Sequence, residues 1–155
     1  MNDIRIIDTH CHLDFNELKT RLDDVIKNAK INNVTDMVTI STNLSRINTI
    51  KDISELHQEV FFTVGVHPNE AHKDKQYDDY HFIENYSNHE KCVGIGEGGL
   101  DYFYNMDNMK LQKRSLEVQI NVARSTNLPM IIHSRDADND MIEILKSEYK
   151  NGPFR

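Results

Sequence analysis

The chain has 155 residues, with 18 Lys and Arg against 25 Asp and Glu and a formal charge of −7. That is enough chain for one compact domain with a core, and its acidity excludes a protein that works through a broad cationic surface, though not a local phosphate site carrying bound cations. Six Tyr and six Phe with regular apolar runs argue against a disordered chain, and no apolar stretch approaches the roughly 20 residues that span a bilayer. The opening Met1-Asn2-Asp3-Ile4-Arg5 has no basic region followed by a long apolar one, and Cys11 and Cys92 form neither a disulfide framework nor a CxxC pair. A soluble protein of the reducing cytoplasm, with no membrane partner, is the expectation.

In chain order, Ile4-Arg5-Ile6-Ile7 predicts a first strand, ending at Asp8-Thr9-His10. Residues 16–30 carry Leu18, Leu22, Val25, Ile26 and Ala29 at helical spacing, with Asn32-Asn33 as the stop. A second strand is expected over 36–40, a helix over 45–57, and a third strand over Val60–Val64 that Gly65 and Pro68 end. A weaker helix around 78–86, a fourth strand over 92–95 and a strong helix over 109–124 follow. A fifth strand over 129–132 and a helix over 138–149 complete the order, and Asn151-Gly152-Pro153 reads as a helix stop. Five strand–helix units in strict alternation define an α/β protein with parallel strands and right-handed crossovers, either an open sheet or a barrel. A complete (β/α)₈ barrel takes eight units and about 250 residues.

The residues able to do chemistry follow strands: His10-Cys11-His12, His67, Glu97 with Asp101, and His133 with Arg135. Parallel strands bring their carboxyl ends to one edge, where both open sheets and barrels place ligands. His10 and His12, two apart in extended backbone, point the same way and can grip one divalent cation while Cys11 points elsewhere. Glu97 stands in Gly94-Ile95-Gly96-Glu97-Gly98-Gly99-Leu100-Asp101-Tyr102; its two oxygens can bridge two cations, or it is a solvated residue of a glycine-rich turn. Gly94, Gly96 and Gly99 also fit GxGxxG, but that fingerprint follows a first strand and opens a helix at once, which this stretch does not. His133 can add a nitrogen ligand or stand as a structural histidine, and Arg135 can hold a phosphate or carboxylate. His67-Pro68 lines the same mouth or only precedes a rigid turn. Asp136 reads as the cap of the last helix. His57, His72, His81 and His89, with Lys110, Lys113, Arg114 and Arg124, read as solvated surface, and the two cysteines as small apolar residues.

Taken together, Ile7-Asp8-Thr9-His10-Cys11-His12-Leu13-Asp14, Gly65-Val66-His67-Pro68, Gly96-Glu97-Gly98-Gly99-Leu100-Asp101-Tyr102, Gln112 with Gln119, and Pro129-Met130-Ile131-Ile132-His133-Ser134-Arg135-Asp136-Ala137 resemble the TatD family of metal-dependent deoxyribonucleases over nearly the whole chain. Gly98 departs from the usual Ile of that pattern and is expected to loosen the segment carrying Glu97. The resemblance implies a partial TIM (β/α) barrel in one domain over 1–155, with a two-cation site in the amidohydrolase style. By that likeness His10 and His12 ligate one cation, Glu97 bridges the pair as the catalytic carboxylate, and His133 ligates the second. His67 and Arg135 are the substrate-binding candidates, DNA is the substrate, and the ions are Mg, Mn or Zn. It further implies a metal-ligating His after a sixth strand and a water-activating Asp after an eighth, so the chain is expected to be the amino-terminal portion of such a barrel. That portion carries exposed strand edges and self-associates or takes a complementary carboxy-terminal fragment. The alternatives are a related hydrolase of another phosphoester or an amide, and an inactive remnant that binds metal or a partner chain.

Overall fold

The computed structural model describes residues 4–104 and 106–155. Five strands, β1 (Ile6–Cys11), β2 (Val34–Thr39), β3 (Val60–Val64), β4 (Cys92–Asp101) and β5 (Met130–Arg135), form one sheet in the order β1-β2-β3-β4-β5, every neighbouring pair parallel. Sequential order with parallel pairing is what right-handed helical crossovers produce, and the sheet is a segment of a (β/α) barrel wall. Among the described residues, five α-helices join the strands, α1 (Asn16–Lys19), α2 (Leu22–Ile31), α3 (Ile47–Leu56), α4 (Tyr80–Ser87) and α5 (Met109–Thr126), and α6 (Asp138–Lys150) follows β5. Among the described residues, no helix is long and apolar enough to cross a membrane.

The expected helix over 16–30 is two helices. Thr20 and Arg21 separate them, and the Thr20 hydroxyl donates to the Asn16 carbonyl, closing the first turn locally. The stop was read correctly: Asn33 adopts a left-handed φ of 63°, and Asn127 does the same after α5. Three apolar clusters hold the layers together. The largest packs Phe62, Val64 and Ile95 of the sheet against Ile47, Ile50, Ile83, Val118 and Val122 of α3, α4 and α5. A second joins Ile26, Met37, Ile53 and Val60, and a third joins Leu100, Leu116, Ile120 and Met141. Truncating Leu116 or Ile120, both fully buried, costs about 2–5 kcal/mol on the scale of buried large-to-Ala changes.

Two strands run further than the sequence suggests. β4 continues through the glycines to Asp101, so Glu97 lies within a strand and not in a turn. Gly98 pairs with Ile132 and Gly99 with His133 across the β4–β5 ladder. Gly98 thus keeps a place in the ladder, which resumes there after a register shift between Ile95 and Gly98. A Cβ there would stand 2.7 Å from Gln119 Oε1, and Gln119 is fixed by bonds to the Val66 N–H, the Val66 carbonyl and Ser115 Oγ. At Gly99 a Cβ would collide with the His133 carbonyl. At Gly99 the obstacle is the backbone of β5, whereas at Gly98 it is the Gln119 side chain, which must shift before a larger residue fits.

The last helix also differs from expectation. Asp136 has a left-handed φ of 54° and precedes the N-cap, Ala137, which makes no side-chain cap bond. Ser134 Oγ donates instead to Asp138 in the first turn. The basic residues read as solvated are paired where the structure shows partners: Lys113 with Asp140, Arg114 with Asp78, Arg124 with Glu148.

Candidate metal centre

β1 extends through His10 to Cys11, with His12 the next residue, so the two imidazoles do project from the same side. Their rings meet edge to face at 5.3 Å, while the Cys11 thiol turns away to the Val38 carbonyl. His12 Nδ1 lies 3.2 Å from the Ile40 carbonyl oxygen. A carbonyl only accepts, so Nδ1 carries the proton and Nε2 is left as the free lone pair. His12 also stacks on Phe15, with rings 4.8 Å apart and 17° from parallel, which fixes its plane.

Glu97 reaches both sides of the site. Its Oε2 is 3.3 Å from His10 Nε2 and its Oε1 is 3.2 Å from His133 Nδ1. Its backbone N–H donates to the Ser41 carbonyl, and the preceding Gly96 carbonyl accepts from the buried Thr63 hydroxyl. The carboxylate is thus carried on backbone anchored to two neighbouring strand ends. His133 comes from β5, and His67, just after β3, lies 3.2 Å from it between Nε2 and Nδ1.

Potential ligand atoms form two groups within 4.8 Å of one another, His10-His12-Glu97 and His67-Glu97-His133, and Glu97 belongs to both. Asn69 N–H donates to His67 Nδ1, and Asp101 Oδ2 stands 3.0 Å from His133 Nε2. In the neutral rings these outer bonds leave the Nε2 proton of His67 directed at His133 and the Nδ1 lone pair of His133 directed into the cluster; a protonated His133 donates from Nδ1 to Glu97 instead. Ring nitrogens of His10, His12 and His133 thus gather around the two carboxylate oxygens of Glu97. Mixed imidazole and carboxylate ligands suit divalent ions, whose binding displaces the protons that such atoms otherwise share.

The titration shifts have the same origin. Burial raises the Glu97 carboxyl, but the hydrogen bond from His133 and the nearby imidazoles outweigh it and hold it below the usual range. The bond to Glu97, then that to Asp101, pushes His133 up despite its partial burial. Burial and the charge of His133 hold His67 down. One site therefore favours an ionised carboxylate and a neutral His67.

The sequence marks Asp101 as a chemistry-bearing residue of this edge without assigning it a task, and it does not single out Arg46 or Asp14. Asp101, 1% exposed, accepts from Asn69 Nδ2 and orients His133. Arg46 lies on the wall of an open cleft of about 370 Å³ with His12, His67 and Glu97. It is held by buried Asp14 at 3.3 Å, by the Thr42 hydroxyl at 3.2 Å and by the face of Phe15 at 5.0 Å. Asp14 was quoted only as part of a motif. Arg135, expected to point a charge at a phosphate or carboxylate, lies instead over the rings of Phe103 and Tyr104 at 3.7 and 4.8 Å.

A parallel sheet of barrel type with a histidine–carboxylate cluster towards the carboxyl ends of its strands presents a candidate metal centre. The profile of the TatD related DNase family matches residues 7–154, and the chain belongs to that family. It is 37% identical over 143 residues to the uncharacterized metal-dependent hydrolase YabD of Bacillus subtilis, covering 92% of this chain and 56% of that protein. To the human deoxyribonuclease TATDN3 it is 31% identical over 159 residues, covering 94% of this chain and 57% of that protein. The crystal structure of the TatD homolog YJJV from Escherichia coli superposes with a TM-score of 0.84 at 27% identity, over 92% of this chain and 56% of that one. The chain thus spans a little over half the length of these relatives.

Proposed function

We propose that the chain supplies a two-cation centre for hydrolysing phosphodiester bonds of DNA. His10 and His12 hold one cation, His133 the other, and Glu97 is shared between them. The observation that carries this reading is that both ligand groups contain Glu97, each of its oxygens facing a different histidine. The donor set fits, because the outer bonds to Ile40 and Asp101 occupy one ring nitrogen each of His12 and His133 and leave the other for a cation. When bound, divalent ions supply Lewis acidity and a water of lowered pKa.

The chain's own residues do the positioning. Arg46, braced by Asp14, Thr42 and Phe15, places a guanidinium on the cleft wall, where a phosphate oxygen accepts two of its N–H bonds. His67 keeps an Nε2 proton beside His133 and borders the same cleft. Membership of the TatD related DNase family and similarity to the human deoxyribonuclease TATDN3 support a nucleic acid substrate. The test is hydrolysis of DNA by the purified chain with Mn, Zn or Mg, run beside RNA and small phosphoesters. Cleavage is expected to require metal and to be lost in Glu97→Gln. Cleavage that persists in chelator or in Glu97→Gln overturns the reading.

A further inference from the structure

The loop after β4 leaves two large rings in water beside the centre. Phe103 is 56% exposed and Tyr104 67%, although the three apolar clusters take up most of the other aromatic residues. Their ring centroids are 4.7 Å apart at 89°. The Arg135 guanidinium lies over both rings, 3.7 and 4.8 Å from their centroids. Unlike Lys113, Arg114 and Arg124, Arg135 has no carboxylate partner among the described residues. A planar cation stacked on exposed aromatic rings, its charge unneutralised, is a surface for another flat π-system.

Its placement relative to the centre is fixed by the backbone. Asp101 Oδ2 accepts from His133, and Asp101 Oδ1 accepts from the Phe103 N–H at 3.1 Å. One carboxylate therefore orients a candidate ligand and anchors the aromatic loop. Asp101 pairs with Arg135 in the β4–β5 ladder, and the Tyr102 N–H donates to the Arg135 carbonyl. Along β5, His133 and Arg135 are two residues apart on one face, a rise of about 7 Å.

We propose that Phe103, Tyr104 and Arg135 form a stacking platform for an unpaired nucleobase adjoining the phosphodiester held at Glu97. This rests on the nucleic acid reading above and adds to it: Arg135 recognises a base and not a phosphate. Stacking is tolerant of sequence because every base has a π-face, so the platform selects for the presence of a base and not for its identity.

The chain has no Trp, so Phe103→Trp installs a single indole at the platform. The probes are hydrolysis-resistant phosphorothioate oligothymidylate and a phosphorothioate oligomer of equal length made of abasic nucleotides, with manganese present. The base-bearing oligomer is expected to quench the indole and the abasic one to leave it unchanged. In polarisation titrations Phe103→Ala and Tyr104→Ala are each expected to lower affinity for the base-bearing oligomer about tenfold, while affinity for the abasic oligomer stays the same. Both rings are exposed, and circular dichroism of the variants checks that the fold is retained. Equal affinity of the unaltered chain for the two oligomers, or binding without quenching, overturns the platform. Metal titration and hydrolysis of bis(4-nitrophenyl) phosphate by the unaltered chain test the underlying reading separately, since that ester carries no nucleobase. If both succeed while the oligomer comparison fails, the platform alone falls.

Discussion

Asp101 links more of the site than its position after the glycine run suggests. It is buried, accepts from His133 and Asn69 through one oxygen, and holds the Phe103 backbone through the other. Loss of such an outer partner commonly lowers metal affinity about 10–100-fold. Asp101→Asn is expected to weaken manganese binding by that factor in calorimetry, with the circular dichroism spectrum unchanged. Arg46 belongs to the same scale. A charge-assisted bond contributes about 1.5–3 kcal/mol, so Arg46→Gln is expected to raise KM for DNA roughly tenfold or more, with metal affinity retained. Equal KM in steady-state kinetics would remove Arg46 from substrate binding. His10, His12, Glu97 and His133 were legible in the sequence because each follows the apolar run of a strand, although β4 and β5 themselves extend past Glu97 and His133. Arg46 and Arg135 were not legible in the same way. Their roles depend on where a long side chain lies, on Phe15 in one case and on Phe103 in the other, and no local pattern encodes that contact.

Among the elements, β4 was read least accurately. Four glycines in six residues look like the end of a strand, yet the ladder continues to Asp101. The reason lies in neighbours remote in sequence: Gln119 of α5 fills the space beside Gly98, and the His133 carbonyl approaches Gly99. The alternation of strands and helices was legible because apolar periodicity is local, whereas these close approaches are tertiary. Gly98→Ala is expected to cost about 1–3 kcal/mol, as overpacking of a fixed environment does, seen as a lowered urea midpoint. A midpoint equal to that of the unaltered chain would show that Gln119 gives way. Gln112 makes a companion contact, accepting from the Asp101 N–H and donating to the Asp101 carbonyl. Two buried glutamines on α5 thereby fix the height of that helix against β3 and β4.

At the level of the whole molecule, the sheet has two free edges among the described residues, since β1 pairs only with β2 and β5 only with β4. Ile6 and Ile7 of β1 are 47% and 58% exposed. An apolar strand edge is a template for pairing with another chain. Self-association is therefore expected, with a weight-average mass that rises with concentration in sedimentation and falls when Ile6 and Ile7 are changed to Lys. A monodisperse monomer would contradict this. Cys92 reports on cooperativity in the interior. Burial pushes its thiol up to about 12 from 9.0, so the unfolded chain releases this proton first. Its contribution is complete below about pH 9 and is lost as pH rises towards 12. Stability measured by urea is expected to fall across that window, and less so in Cys92→Ala.

The account as a whole depends on Glu97 joining two histidine groups around a pair of ions. Calorimetric titration of the metal-free chain with manganese tests this most directly. Two ions per chain are expected, with one lost in His133→Ala and the binding of both weakened in Glu97→Gln. Two sites unaffected by Glu97→Gln, or no divalent binding by the folded chain, would contradict it.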